Sequence, residues 1–305
     1  MSFSAKDQHI IVNYHYVEDP RPDWGGIHPC SVKEFERQIS FLAEQYQFVS
    51  VPEVYEAAKK YKNGKYCAIT FDDGLRDQYE NAMSVLKRYS AKATFFIITA
   101  TISGYIPAAH KIHILLSRFS ASELIDAFND FTVSARHAEY AKYKIPKDRR
   151  IIEKRRYDDM LSANFKETMT ILPQEAKEEF LRQTFENNSL DEKTFCRKLF
   201  MDETEIRELS KNGFFMENHT HRHLALENEP LEIIKKELED SQNILNGLLS
   251  YCPNVISYPH GRINELALSV LDEAGFTHGV TIEPRIVKKG DSSFLLPRFD
   301  TNDIL

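Results

Sequence analysis

Tyr66-Cys67-Ala68-Ile69-Thr70-Phe71-Asp72-Asp73-Gly74 is the stretch that sets the reading of this chain. Its first four residues form a short, mostly apolar run, the mark of a buried strand. Asp77 to Tyr89 follows with apolar Tyr79, Met83, Val85 and Leu86 among polar residues, and reads as a helix. Two adjacent carboxylates therefore stand where a strand gives way to a turn. Side by side they repel, and partial burial adds a cost that only a cation or a proton relieves. Asp73-Gly74 alone is ordinary turn chemistry. What gives the pair weight lies downstream.

Outward from this point the chain alternates. His9 to Tyr16 reads as a first strand ending near His15, and Glu18 to Gly26 as a loop. Ser31 can cap a helix over Val32 to Gln45. Phe48 to Ser50 reads as a short strand, and Pro52 opens a helix through about Tyr61. Ala93 to Ile98 is a further buried strand. Strand, helix, strand in succession predicts a parallel sheet with covering helices. From Gly104 to Phe200 the periodicity is helical, with helices expected from Ser120 and from Pro173. Alternation resumes with a helix over Glu203 to Asn212 stopped by Gly213, and a strand over Phe214 to Met216. Helix Leu231 to Leu249, strand Val255 to Tyr258 and helix Ile263 to Ala274 follow. Phe276 to Ile282 and Phe294 to Phe299 are the last expected strands. The division expected is a frame of residues 1–103 and 201–305 carrying a helical insertion or lid over 104–200.

Composition narrows the class. The chain has 305 residues, 42% hydrophobic and 28% charged, as in an ordinary globular protein. A net charge of −7 argues against nucleic acid as a partner. No apolar run approaches the ~20 residues that span a bilayer. Met1 to Gln8 lacks the basic and apolar regions of a signal peptide, so a cytoplasmic location is expected. Cys30, Cys67, Cys196 and Cys252 are scattered and suggest neither disulfides nor a thiolate metal site. A basic cluster inside the insertion comprises Lys142, Lys144, Lys147, Arg149, Arg150, Lys154, Arg155 and Arg156. It reads as a solvated face, or more sharply as a docking patch for substrate phosphates.

The downstream signal is His219-Thr220-His221-Arg222-His223. On a helical turn, residues four apart share a face, and two neutral imidazoles suit zinc, cobalt, nickel or iron. With a strand-end carboxylate they make a two-histidine, one-carboxylate set that leaves coordination positions open for water and substrate.

Thr70-Phe71-Asp72-Asp73-Gly74 together with His219-Thr220-His221-Arg222-His223 resembles the first two motifs of the polysaccharide deacetylases, carbohydrate esterase family 4. Ser257-Tyr258-Pro259-His260-Gly261 resembles the third. Leu296-Pro297-Arg298-Phe299-Asp300 and Asn13-Tyr14-His15 resemble segments of one branch of that family. The resemblance implies an α/β fold, a distorted (β/α) barrel of about seven strands, with the motifs at the carboxyl ends of the strands. It also implies a metal-dependent hydrolase that removes an N-acetyl group from an amino sugar. By position, Asp73, His219 and His223 would hold one divalent metal ion, zinc first and cobalt or nickel as alternatives. Asp72 would be the general base, and the Tyr258 backbone N–H would join in holding the oxyanion.

A general acid must protonate the leaving amine. The branch resemblance gives this to His15, with His260 as the competitor. Many members carry an arginine where this chain has Ser257; Arg298 is the expected substitute, paired with Asp72. Tyr258, Pro259, His260 and Trp24 are the candidate substrate contacts, Trp24 either stacking on a sugar or plugging an apolar gap. His221 reads as exposed or supporting, and His110 and His113 as surface residues.

The reading is a cytoplasmic carbohydrate N-deacetylase in surface-polysaccharide biosynthesis. Its substrate would be an amino-sugar precursor linked to a nucleotide or a lipid diphosphate. A peripheral membrane contact is open for the insertion. Alternatives are a deformylase or esterase on a similar sugar, or a non-catalytic metal- and sugar-binding protein.

Overall fold

The computed structural model describes residues 9–304 except 22, 23, 25, 61, 62, 135, 154 and 156. The chain divides into two compact units, one of residues 1–19, 29–105 and 196–305, the other of residues 20–28 and 106–195.

The first unit is a parallel sheet wound by helices. Strands β1 (His9–Tyr14), β2 (Gln47–Phe48), β3 (Tyr66–Phe71), β4 (Ala93–Ile97), β5 (Phe215–Asn218), β6 (Val255–Ser257), β7 (His278–Val280) and β8 (Phe299–Asp300) are all parallel. Their spatial order is β7-β6-β5-β4-β3-β1-β8, with β2 beside the start of β3. The path curls round on itself. The segment leading into β8 bridges Val280 of β7 through Leu296, and Phe299 pairs with Val12 of β1. This is the distorted (β/α) barrel.

Helices cover the outside. Helix α1 (Val32–Gln45) is capped by the Ser31 hydroxyl, which accepts from Glu34 N. Helix α2 (Val51–Lys59) starts at a Ser50–Glu53 capping box with proline in its first turn. The helix after the Asp-Asp pair opens as a π turn over Gln78–Ala82 before α3 (Met83–Arg88).

Period-two alternation sorts each strand into two faces. Ile10, Val12 and Tyr14 of β1 join Ile69, Phe71, Phe95 and Met216 in the core under the helices. There Phe71 and Phe95 stack at 4.6 Å. Ile11, Ala68, Phe96, Val255, Val280 and Leu296 fill the barrel interior. The next residues of that inner parity are Asn13, Thr70, Ser257 and Arg298, all buried. The interior therefore turns polar toward the carboxyl ends of the strands.

The second unit is helical. It contains α4 (Ala108–Arg118), α5 (Ala121–Val133), α6 (Met160–Ile171) and α7 (Gln174–Asn187). Its core includes Phe128, Phe131, Phe165 and Phe180 in edge and stacked contacts. His110 is not a surface residue, being 1% exposed within α4, whereas His113 is half-buried. Of the basic cluster, Lys147 bonds Ser122 and Asp126, Arg150 binds three backbone carbonyls, and Arg155 meets Glu167 and Thr170. These three heads serve the unit's own structure. Lys142, Lys144 and Arg149 are exposed, and Lys154 and Arg156 lie outside the described residues. The chain re-enters the first unit through α8 (Glu192–Leu199) and continues to α9 (Glu203–Lys211), α10 (Leu231–Leu248) and α11 (Glu265–Leu268). No described helix is long and apolar enough to cross a membrane.

Several boundaries differ from the sequence expectation. The helix expected over Ile263 to Ala274 is α-helical only to Leu268, because Val270 and Leu271 bond back three residues instead of four. It still stops at Gly275, where Gly275 N bonds Asp272 O and Phe276 N bonds Leu271 O in a Schellman closure. The strand expected over Phe294 to Phe299 is reduced to β8 and a lone bridge at Leu296, since Pro297 has no N–H to add to a ladder. The short strands near Phe48, Phe214 and Phe276 shift or shorten by a few residues, and Tyr61 lies outside the described residues.

Gly279 marks the tightest packing beside the third motif. A Cβ there would lie 1.9 Å from the Tyr258 hydroxyl and 2.8 Å from Phe294 O, the two groups joined by a 2.7 Å hydrogen bond. Gly279→Ala is expected to break that bond and destabilise the fold by about 1–3 kcal/mol, measured by urea denaturation. Wild-type stability in the variant would contradict this packing.

Candidate active site

The turn after β3 separates the two neighbouring carboxylates. Asp73 and Gly74 are both left-handed, at φ 76° and 68°. An aspartate there is strained. Gly74 has no Cβ, and one would sit 3.1 Å from Ile97 Cδ1. Asp72 is anchored just before the turn, its N–H donating to Tyr14 O at 3.0 Å.

Asp72 faces a cation supplied by the chain. Arg298, 1% exposed, donates from Nη1 to Asp72 Oδ1 and from Nη2 to Oδ2, each at 2.8 Å. Asn13 Nδ2 adds a bond to Oδ2 at 3.1 Å. Arg298 also donates to Asn13 Oδ1, Thr70 Oγ1, Ser257 Oγ and Thr281 O. Burial alone would push the Asp72 carboxyl up. The charge of Arg298, then His219, the Arg298 hydrogen bonds and His15 outweigh it and bring the group down to about 2.

Asp73 faces histidines. Its Oδ1 lies 3.3 Å from His219 Nε2 and 3.5 Å from His223 Nε2. Among the described residues these three form a cluster whose ligand atoms all lie within 4.8 Å of one another. Tetrahedral donors at about 2.0–2.2 Å from a divalent ion are themselves about 3.3–3.6 Å apart. The donor types and the two Asp73–histidine distances thus fit such an ion. His219 Nδ1 lies 2.7 Å from Ser257 O, and a carbonyl can only accept. Nδ1 therefore carries a proton, and in the neutral ring that a metal ion would bind, the Nε2 lone pair is the one directed at Asp73.

The histidine motif is not helical, contrary to the spacing argument. Residues 219–223 form a bent loop with Thr220 and His223 both at φ 63°. The loop is tied down along its length. Thr220 N bonds Asn218 Oδ1, Thr99 N bonds Thr220 O, and Ala100 N bonds His221 O. Arg222 donates from N and Nε to the buried Glu237 of α10. The rings of His219 and His223 meet edge-on at 4.8 Å. His221 is half-buried, with Nδ1 2.9 Å from Thr99 Oγ1.

The remaining candidates fall into three groups. His15 has a 43% exposed side chain with Nε2 3.9 Å from Asp72 Oδ2. His260 is exposed, left-handed at φ 59°, and its ring is 4.7 Å from that of His223. The Tyr258 ring is 1% exposed, with its hydroxyl on Phe294 O, and Pro259 is buried. Only the backbone of Tyr258 remains for substrate, and its N–H lies on Val280 O at a long 3.4 Å. Trp24 belongs to the other unit, where it is 8% exposed with Arg21 5.5 Å from its ring. That burial fits a plug rather than an open stacking platform. Sequence reasoning passed over Asn13, Thr70 and Gln78. Asn13 and Thr70 each precede a named residue by two, and strand parity puts such residues on the same face.

Barrel, paired carboxylates and histidine loop together place a candidate metal site beside a buried, arginine-paired carboxylate at the carboxyl ends of a (β/α) barrel. The family model for polysaccharide deacetylase matches residues 59–127 and 154–279, and the chain belongs to that family, carbohydrate esterase family 4. YxkH of Bacillus subtilis (strain 168), named for the same family, is 23% identical over 269 residues, 87% of this chain and 63% of YxkH. The poly-beta-1,6-N-acetyl-D-glucosamine N-deacetylase of Staphylococcus aureus (strain MRSA252) is 26% identical over 121 residues, 37% of this chain and 42% of that protein. The chain thus spans less than two thirds of the length of these relatives. The deacetylase PplD of Streptococcus pyogenes shares the fold at a TM-score of 0.61 and 20% identity, covering 97% of this chain and 93% of PplD. IcaB of Ammonifex degensii does so at 0.60 and 16%, covering 96% and 91%.

Replacing Arg298 by alanine would leave Asp72 charged and buried without its partner. Loss of about 3–5 kcal/mol of stability is expected, read from urea unfolding. An unchanged midpoint would show that the pair is not what holds this end of the barrel.

Proposed function

We propose that the chain removes the N-acetyl group from an amino sugar, with a divalent ion held by Asp73, His219 and His223. The observation that carries this reading is the split of the Asp72-Asp73 pair. One carboxylate is held ionised by Arg298, and the other joins two histidines at ligand spacing. When bound, the ion, zinc first with cobalt or nickel as alternatives, polarises the amide carbonyl and acidifies the attacking water.

The chain's own residues do the rest. Asp72 takes the proton from the attacking water as general base. Arg298 and Asn13 fix its plane, and one donor on Oδ1 against two on Oδ2 leaves Oδ1 the freer acceptor. His15 delivers a proton to the leaving nitrogen, and its 43% exposure lets a substrate reach the ring. The Tyr258 N–H exchanges its long bond to Val280 O for the oxyanion.

The Staphylococcus aureus relative named for poly-beta-1,6-N-acetyl-D-glucosamine supports N-acetylglucosamine as the sugar. The test offers the zinc-loaded protein an N-acetylglucosamine oligomer, a nucleotide-linked sugar and a lipid-diphosphate-linked sugar, and measures acetate. Release from the linked sugars would fit a cytoplasmic precursor role; release from the oligomer would fit a polymer-modifying role. Acetate from none of them would overturn the proposal. Asp72→Asn is expected to lower kcat at least ~100-fold while retaining metal, and His219→Ala to lose the metal by elemental analysis.

A further inference from the structure

The helix that follows the Asp-Asp turn has an unusual start. It opens as a π turn over Gln78–Ala82, after Asp77. π turns are rare and cluster where their geometry is used. Here three side chains from this turn reach back to one short segment. Gln78 Nε2 donates to His15 O at 2.9 Å, Asp77 Oδ2 accepts from Val17 N at 2.6 Å, and Asn81 Nδ2 donates to Val17 O at 2.7 Å. Gln78 Nε2 also donates to Asp72 O at 2.6 Å. One fully buried amide thus ties together the backbone carbonyls of the residues assigned as acid and base. Its orientation is fixed, because only the NH2 end can donate to two carbonyls.

We infer that Asp77, Gln78 and Asn81 form a backbone clamp that sets the spacing of His15 from Asp72. They are positioning residues for the proton transfer to the leaving group; this rests on the roles proposed above for His15 and Asp72. The segment needs such a hold. β1 ends at Tyr14, so His15 lies beyond the sheet ladder. Other backbone ties nearby include Asp72 N to Tyr14 O, which joins the strand ends one residue before His15, and Cys30 N to Tyr16 O with a bridge between Val17 and Cys30, which hold the segment from the far side. Among these contacts Gln78 alone bonds the backbone of both His15 and Asp72. The imidazole can then sit 3.9 Å from the carboxylate while 43% of the side chain stays exposed.

The test is a double-mutant cycle on the metal-loaded protein, with Gln78→Met and Asn81→Leu each made alone and in a His15→Ala background. In the otherwise wild-type chain, Gln78→Met is expected to lower kcat about 10–100-fold, with KM within about twofold and metal content unchanged. In the His15→Ala background the same change should cost less than about threefold, because the group it positions is gone. An equal loss in both backgrounds, or no loss in the first, overturns the inference. Asn81→Leu, at a half-buried position, repeats the cycle should Gln78→Met fold poorly. Amide hydrogen exchange reads the clamp without turnover. Val17 should exchange at least about tenfold faster in Asn81→Leu while β3 amides keep their rates. Unchanged protection at Val17 sinks the clamp even if the chain is an active deacetylase. Loss of protection in a chain that releases no acetate would keep the clamp and reject the activity.

Discussion

The buried ion pair of Arg298 with Asp72 is the constraint on which this structure turns. Desolvating both groups costs several kcal/mol each, and geometry alone can repay it. The geometry here is bidentate, and the guanidinium's other contacts go to Asn13, Thr70, Ser257 and Thr281 O. Those partners sit on β1, β3, β6 and the segment just after β7. Arg298 itself lies between the Leu296 bridge to β7 and the Phe299 pairing to β1. The same side chain that fixes the charge of Asp72 therefore stitches the seam where the sheet closes.

The second constraint is the repulsion between two consecutive carboxylates. A regular strand would send them to opposite faces, and a regular turn would leave both in solvent. Two successive left-handed residues do neither. Asp72 stays buried with a protein cation, and Asp73 turns to the histidine loop. Each carboxylate has its own direct partner, Arg298 for Asp72 and the two histidines for Asp73, while the charge of His219 acts on both. Ser257 serves both halves, its hydroxyl accepting from Arg298 and its carbonyl accepting from His219. A loss of register at β6 would disturb the partner of Asp72 and the orientation of His219 together.

Much of this was legible in the sequence because it is local. Strand β3, helix α1 and the closures at Gly213 and Gly275 follow from apolar runs, caps and left-handed glycines. The barrel and the paired motifs were readable from the resemblance. What escaped was set by distant contacts. Residues 219–223 have helical spacing, yet Thr99, Asn218 and Glu237 hold them as a loop, and no periodicity encodes those partners. His110 reads as a surface histidine where the insertion opens, but the packing of its helical unit buries it. Asn13 and Thr70 were silent because ordinary polar residues in a strand become significant only when Arg298 arrives from near the other end of the chain.

The electrostatics also imply a division of labour in the proposed reaction. A carboxyl held at about 2 is ionised at any physiological pH, and for the same reason it is a weak base. Arg298 guarantees the charge and sacrifices basicity. A base of that strength can deprotonate water efficiently only if the water is made acidic by another group, because proton transfer works best between matched pKa values. The three-residue donor set beside Asp72 is where a divalent cation would do this. Base and ligand set are thus mutually dependent, which is a reason for keeping two costly acids adjacent. The acid side follows different logic. His15 is neither paired by arginine nor fully buried, so its ring is open to a leaving group that changes with the substrate. The proposed base, Asp72, is locked by side-chain bonds, whereas the proposed acid, His15, is held through its backbone, so the two are positioned by different means.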